Sequence, residues 1–166
     1  MGTFITSRSL AKHEREITKG IEHLKVLHAQ ASEASQQSPG DSWHDNAPLE
    51  LLRYEIETES KVLSTKRAEL SRCVRRDYPR RLDNDMVQYG AGVLLNINGK
   101  EQDFKIVGFG DGDIKLGRIF YQAPLAAALL GHTAGDRFEI SINGRTSRIE
   151  VKRVYPLGDL DAEGGD

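Results

Sequence analysis

Pro39-Gly40-Asp41-Ser42-Trp43-His44-Asp45-Asn46-Ala47-Pro48 decides the fold, because long helical patterns lie on both sides and the stretch itself cannot be a helix interior. Pro39 lacks a backbone donor and pushes Ser38 out of the α region, while Gly40 adopts backbone angles that other residues avoid. Asp41, Asp45 and Asn46 can hydrogen-bond local amides, which suits a turn or a helix start. The chain is therefore expected to reverse at about residues 38–48. The reversal carries two carboxylates, an imidazole and an indole at the end of a rod.

Before the reversal, from about Ser7 to Gln37, the residues Leu10, Ile17, Leu24 and Ala31 recur at every seventh position. His13, Gly20, Leu27 and Ala34 occupy the complementary heptad position, so one face of a helix forms a seam with charged residues elsewhere. Gly20 is a poor seam residue and costs about 1 kcal/mol against alanine in a helix interior. His13 and His28 read as surface or seam-edge histidines rather than metal ligands. A helix of about 30 residues spans about 45 Å.

After the reversal a second helix starts near Asn46 to Pro48, with Asp45 or Asn46 as cap and proline tolerated in the first turn. Leu49, Ile56, Leu63 and Leu70 form its ladder, and Leu52, Glu59, Lys66 and Cys73 sit at the paired positions. Two such ladders joined by a short polar turn predict an antiparallel coiled-coil hairpin over residues 1–78, after a lead-in at 1–6. Cys73 reads as a seam residue, not a reactive thiol. Pro79 ends the helix and residues 79–86 form a linker. Lys61, Lys66, Arg67, Arg72, Arg75, Arg76, Arg80 and Arg81 stand near its base against Glu69 and Asp77. They form either a solvated face, as such runs usually do, or an electropositive surface toward nucleic acid or an acidic protein groove. Tyr54 and Tyr78 are too sparse for a base-stacking platform.

From Met86 the period changes. Val93–Ile97 and Phe104–Val107 read as strands around an Asn98-Gly99 turn, and Gly117–Tyr121 as a further strand after a glycine-bearing loop. Pro124–Leu130 is a short apolar helix ended by Gly131. Arg137–Ile142 and Ser147–Val151 are strands joined across Asn143-Gly144. Residues 87–157 are thus expected to form a small antiparallel sheet domain holding one helix, giving an α+β chain. The glycine- and acid-rich tail, residues 158–166, reads as disordered.

The 166 residues are 29% charged and 38% hydrophobic with net charge −2, so bulk charge does not make the chain a polyanion binder. One cysteine excludes an intrachain disulfide and a cysteine metal cluster. Met1–Leu10 lacks the apolar core of a secretory signal and no run approaches a membrane span, so a cytosolic setting is expected. The histidines at 13, 23, 28, 44 and 132 are scattered, and no Ser-His-Asp order, P-loop or zinc spacing is present.

Phe104-Lys105-Ile106-Val107-Gly108, then Gly117-Arg118-Ile119, then Ala123 to Gly131, then Gly135-Asp136, follow one another in an order that resembles the GreA/GreB transcript-cleavage factors of bacterial RNA polymerase. The Gly40-Asp41…Asn46-Ala47 tip of the helical hairpin is similar to theirs as well. The resemblance covers roughly Ser7 to Val154 and implies an FKBP-like C-terminal domain that docks at the rim of the polymerase secondary channel. Gln122, Ala123, Pro124 and Leu125 would form the docking segment, with Gln122-Ala123-Pro124 where the family often has Asp-Ser-Pro or Ser-Pro. The coiled coil would enter the channel. Asp41 and Asp45 would then help hold a second Mg²⁺ and a water for hydrolysis of backtracked RNA, the polymerase supplying the chemistry. Ser42, Trp43, His44 and Asn46 would be tip contacts, and Lys61, Lys66, Arg67, Arg72, Arg75 and Arg76 a basic face. On this reading the protein is a monomeric accessory factor, not an enzyme. It binds no cofactor alone, has no membrane partner, and meets the nascent RNA 3′ end indirectly.

The tip departs from the family form by one extra residue, and its second acid is Asp45 where a glutamate is usual. A second reading is therefore a regulator that occupies the channel without efficient cleavage. A third and remote one is a peptidyl-prolyl isomerase or chaperone, for which Phe104, Phe109, Phe120, Tyr121 and Phe138 are too few clearly placed in one pocket.

Overall fold

The computed structural model describes residues 2–36 and 46–158. The tip residues Pro39 to Asp45 and the tail from Asp159 lie outside the described residues. Two compact units are present: Leu10–Arg72, and Met1–Ser9 together with Cys73–Asp166.

The helical unit is built from α1 (Ser7–Gln36) and α2 (Ala47–Ser71). Leu27, Leu49 and Leu63, all seam positions, are buried. A Cβ on Gly20 would come within 2.5 Å of Leu63 Cδ2. Gly20 is therefore not simply a weak point in the seam: the missing side chain is the space that Leu63 fills. Across the pair, Lys66 reaches Glu16 at 3.7 Å and His23 reaches Glu59 at 3.5 Å, contacts exposed enough to contribute little.

Helix α2 ends at Ser71, not near Pro79 as its pattern predicts; the Arg72 N–H closes it on the carbonyls of Glu69 and Leu70. The cause is a tertiary partner. Cys73–Arg75 extends as β2 and pairs in parallel with β1 (Thr3–Ile5), in the register Thr3↔Cys73 to Ile5↔Arg75. Residues 3–5 are thus a strand rather than a lead-in, and Cys73 is a strand residue rather than a seam residue. Ile5 is fully buried, and strand burial outweighs a further turn of helix.

The remaining strands form one sheet in the order β5-β4-β3-β7-β6. They are β3 (Ala91–Ile97), β4 (Lys100–Val107), β5 (Arg118–Phe120), β6 (Arg137–Ile142) and β7 (Arg145–Pro156). Asn98-Gly99 and Asn143-Gly144 take the positive φ angles (50° and 91°, 52° and 75°) of the tight turns that their sequences predict. The expectation of a wholly antiparallel sheet is corrected at one edge, where β5 runs parallel to β4. The chain crosses from β4 to β5 through residues 108–117, long enough to bring it back in the same direction. Helix α3 (Pro124–Leu129) buries Ala126 and Leu129 in the core with Val87, Val93, Leu95, Ile106, Ile149 and Val151.

Candidate functional site

Of the tip contacts, Asn46 alone is described; Asp41, Ser42, Trp43, His44 and Asp45 lie outside the described residues. Asn46 caps α2. Its Oδ1 accepts from the Leu49 N–H at 3.1 Å, and its Nδ2 donates to the Ala34 carbonyl at 3.3 Å, stitching the start of α2 to the end of α1. Pro48 sits in the first turn, where its missing N–H leaves nothing unpaired.

The six residues of the proposed basic face fall in two units, with Lys61, Lys66, Arg67 and Arg72 in the helical one and Arg75 and Arg76 in the other. Lys61 bonds Glu57 at 2.7 Å, holding that carboxyl below the usual glutamate range, and Lys66 faces Glu16. Arg67 lines a shallow groove with Leu10, Glu14, Ile17, Thr18 and Leu70. Arg72 is exposed just after α2. Arg75 and Arg76 belong to the other unit, where the Arg76 guanidinium lies 4.7 Å from the Phe4 ring centre and 5.6 Å from that of Tyr89.

The docking segment follows β5 directly. Ala123 N–H donates to the Phe120 carbonyl and the Ala123 carbonyl accepts from Ala127 N–H, both at 2.8 Å, so the chain turns sharply into α3. Pro124 occupies the helix start, where its fixed φ suits the first turn. Gln122 and Pro124 are exposed and Ala123 is half-buried, while Leu125 packs against the core. The Gln122 amide donates to the Tyr121 phenol oxygen at 3.1 Å.

At the other end of β5 lies a feature the sequence reading passed over. The Asp113 carboxylate accepts from Lys115 N–H at 2.9 Å, Asp113 and Arg118 exchange backbone bonds at 2.8 and 3.0 Å, and Gly117 closes the turn with φ 66°. Any Cβ at Gly117 would lie 2.5 Å from the Asp103 carbonyl. This tightly specified turn holds Ile114 92% exposed and Leu116 55% exposed. The sequence signal was present: two apolar residues between an aspartate cap and a glycine, too few for a strand.

Phe4, Tyr78, Tyr89 and Tyr121 form a cluster with ring centres 5.1 to 5.5 Å apart. Their hydroxyls are engaged. Tyr78 donates to Asp111 at 2.5 Å and accepts from Gly108 N–H, Tyr89 donates to the Arg76 carbonyl, and Tyr121 accepts from Phe4 N–H. Burial first, and then the Asp111 bond, push the Tyr78 phenol well above the ordinary tyrosine value. Asp111 also accepts from the Thr6 and Ser9 hydroxyls, and Asp77 accepts from both N–H and hydroxyl of Ser7. With Thr6 accepting from Ser9 N–H, the first turn of α1 is capped by residues of its own unit.

Among the described residues no cluster of His, Cys, Asp or Glu could hold a metal ion. Among them, too, no helix is long and apolar enough to cross a membrane.

Residues 82–156 match the family model for the C-terminal domain of the GreA/GreB transcription elongation factors. Transcription elongation factor GreA of Chelativorans sp. (strain BNC1) is 38% identical over 76 residues, which cover 45% of this chain and 48% of that protein. GreA of Mesorhizobium japonicum is 36% identical over a span of the same length. The chain thus spans, in its match, about half the length of these curated relatives. Among solved structures, GreA factor homolog 1 (Gfh1) of Thermus thermophilus aligns with 93% of this chain and 99% of its own, at 18% identity and a TM-score of 0.43. Over residues 82–156 the chain is therefore similar to the C-terminal domain of the GreA/GreB transcription elongation factors.

Proposed function

We propose that this factor binds RNA polymerase through its sheet unit and inserts its helical hairpin into the secondary channel, where the tip stimulates cleavage of backtracked RNA. The observation that carries the reading is the family match over residues 82–156, which contains the whole docking segment from Gln122 to Leu125. Gln122 and Pro124 present polar and apolar contact at the surface, and the turn before β5 adds the exposed apolar side chain of Ile114.

The donor chemistry of the tip fits the role. Asp41 and Asp45 offer carboxylate oxygens, the donors magnesium prefers, and magnesium commonly takes only one or two carboxylates from a protein. When bound between these residues and the polymerase, Mg²⁺ would supply charge stabilisation at the scissile phosphodiester. The chain's own residues hold oxygen ligands in place and orient a water. A pair of carboxylates on a solvated tip binds metal weakly alone, so the site is complete only with polymerase, as expected of a cytoplasmic accessory factor. A second reading, channel occupation without cleavage, is favoured by the extra residue among Ser42, Trp43 and His44 and by the bulk of Trp43.

Equilibrium binding to core polymerase tests the docking half of the proposal. Wild type is expected to bind, and Ala123→Arg, which places a long cation in the half-buried turn, is expected to abolish binding. Equal affinity for both would refute docking through this segment.

A further inference from the structure

We infer that Tyr121 is a positioning residue for the docking segment, acting through the Gln122 side chain; the inference rests on the docking reading above. Tyr121 sits between two groups that must keep a fixed relation. Its phenol oxygen receives the Gln122 amide at 3.1 Å and the Phe4 N–H at 3.1 Å. Its own N–H is bonded to the Val107 carbonyl at 2.9 Å, fixing the residue to β4. Its ring is stacked on Phe4, with centres 5.3 Å apart and planes 20° apart, and meets Tyr89 edge-on at 5.5 Å. Phe4 is itself held at its carbonyl by Phe109 N–H at 2.8 Å.

The consequence is that an exposed, many-jointed glutamine is tethered at its far end to a ring packed against Phe4 and Tyr89. A free glutamine would lose rotamer freedom on meeting a partner, whereas a tethered one has lost much of it already. The phenol has room for both donors because oxygen carries two lone pairs. Phenylalanine at this position would keep the stacking and lose the acceptor. The tether explains why a glutamine can serve where no shorter polar side chain is present.

The test is a double-mutant cycle on polymerase affinity with Tyr121→Phe and Gln122→Ala, with the urea midpoint of each variant measured in parallel. Each single variant is expected to bind about fivefold more weakly, the worth of one net hydrogen bond. The double variant is expected to bind no more weakly than either single, because both remove one tether. Tyr121→Phe also leaves Phe4 N–H without its acceptor, so a lower urea midpoint alone would be a structural effect; the cycle separates the two. Independent, multiplying effects, or full affinity in Tyr121→Phe, would overturn the inference. If Ala123→Arg abolishes binding while these outcomes appear, the docking reading stands and only the role of Tyr121 falls. If Ala123→Arg binds like wild type, the docking reading itself falls.

Discussion

Replacing Asp111 by alanine removes one acceptor from three hydroxyls: Tyr78 at 2.5 Å, Thr6 at 3.1 Å and Ser9. A hydrogen bond to a charged group contributes about 1.5–3 kcal/mol. The three do not add in full. Thr6, Ser9 and Tyr78 are all buried, but Thr6 keeps the bond it accepts from Ser9 N–H and Tyr78 the bond it accepts from Gly108 N–H. A total loss of about 3 kcal/mol follows, equivalent to about 9 °C in melting temperature for a chain of this length. Asp111→Asn, which keeps one acceptor oxygen, is expected to lose about half as much. Urea unfolding followed by near-ultraviolet tyrosine ellipticity measures both, since Tyr78, Tyr89 and Tyr121 lie in this region. A loss below about 1 kcal/mol for Asp111→Ala would show that the carboxylate does not organise the first turn of α1 and Tyr78 as argued.

Tyr78 gives the sheet unit an alkaline limit. Its folded-state phenol is raised by burial, so both states are protonated below about pH 10; above that the unfolded chain releases its proton first, and stability falls by up to about 1.4 kcal/mol per pH unit. Tyr78→Phe is expected to flatten that part of a stability profile measured in urea. Gly92→Ala puts a Cβ 2.1 Å from the Tyr155 ring, which must swing away from Asp103; a loss of about 2–3 kcal/mol in urea unfolding is expected. Ile114→Asp is expected to leave the urea midpoint unchanged, because the side chain is 92% exposed, while weakening polymerase binding about tenfold.

What the sequence made legible was what repeats locally. The Leu10–Ala31 and Leu49–Leu70 ladders read as helices because their period needs no distant partner. The two Asn-Gly pairs read as tight turns because their backbone angles are an intrinsic preference. The pairing of Thr3–Ile5 with Cys73–Arg75 was not legible. Each strand has only three residues, and the partners are far apart in the chain, so the ladder of α2 simply appeared to run on through Cys73. Gly20 looked like a defect because its use depends on Leu63 across the hairpin. The charge run from Lys61 to Arg76 looked continuous because sequence does not show Glu57 and Glu16 arriving as partners, or the chain passing into a second unit at Cys73. In the candidate site, Gln122 and Pro124 were proposed from the family pattern. Tyr121 was not, since its role depends on Phe4 arriving from β1.

The most direct test of the account uses a backtracked elongation complex with labelled RNA, at near-neutral pH with Mg²⁺. The chain is expected to shorten the RNA, and Asp41→Asn and Asp45→Asn are each expected to abolish shortening while polymerase binding persists. A wild-type chain that binds polymerase yet leaves the RNA intact or slows its extension would contradict cleavage stimulation and identify a channel-occupying regulator instead.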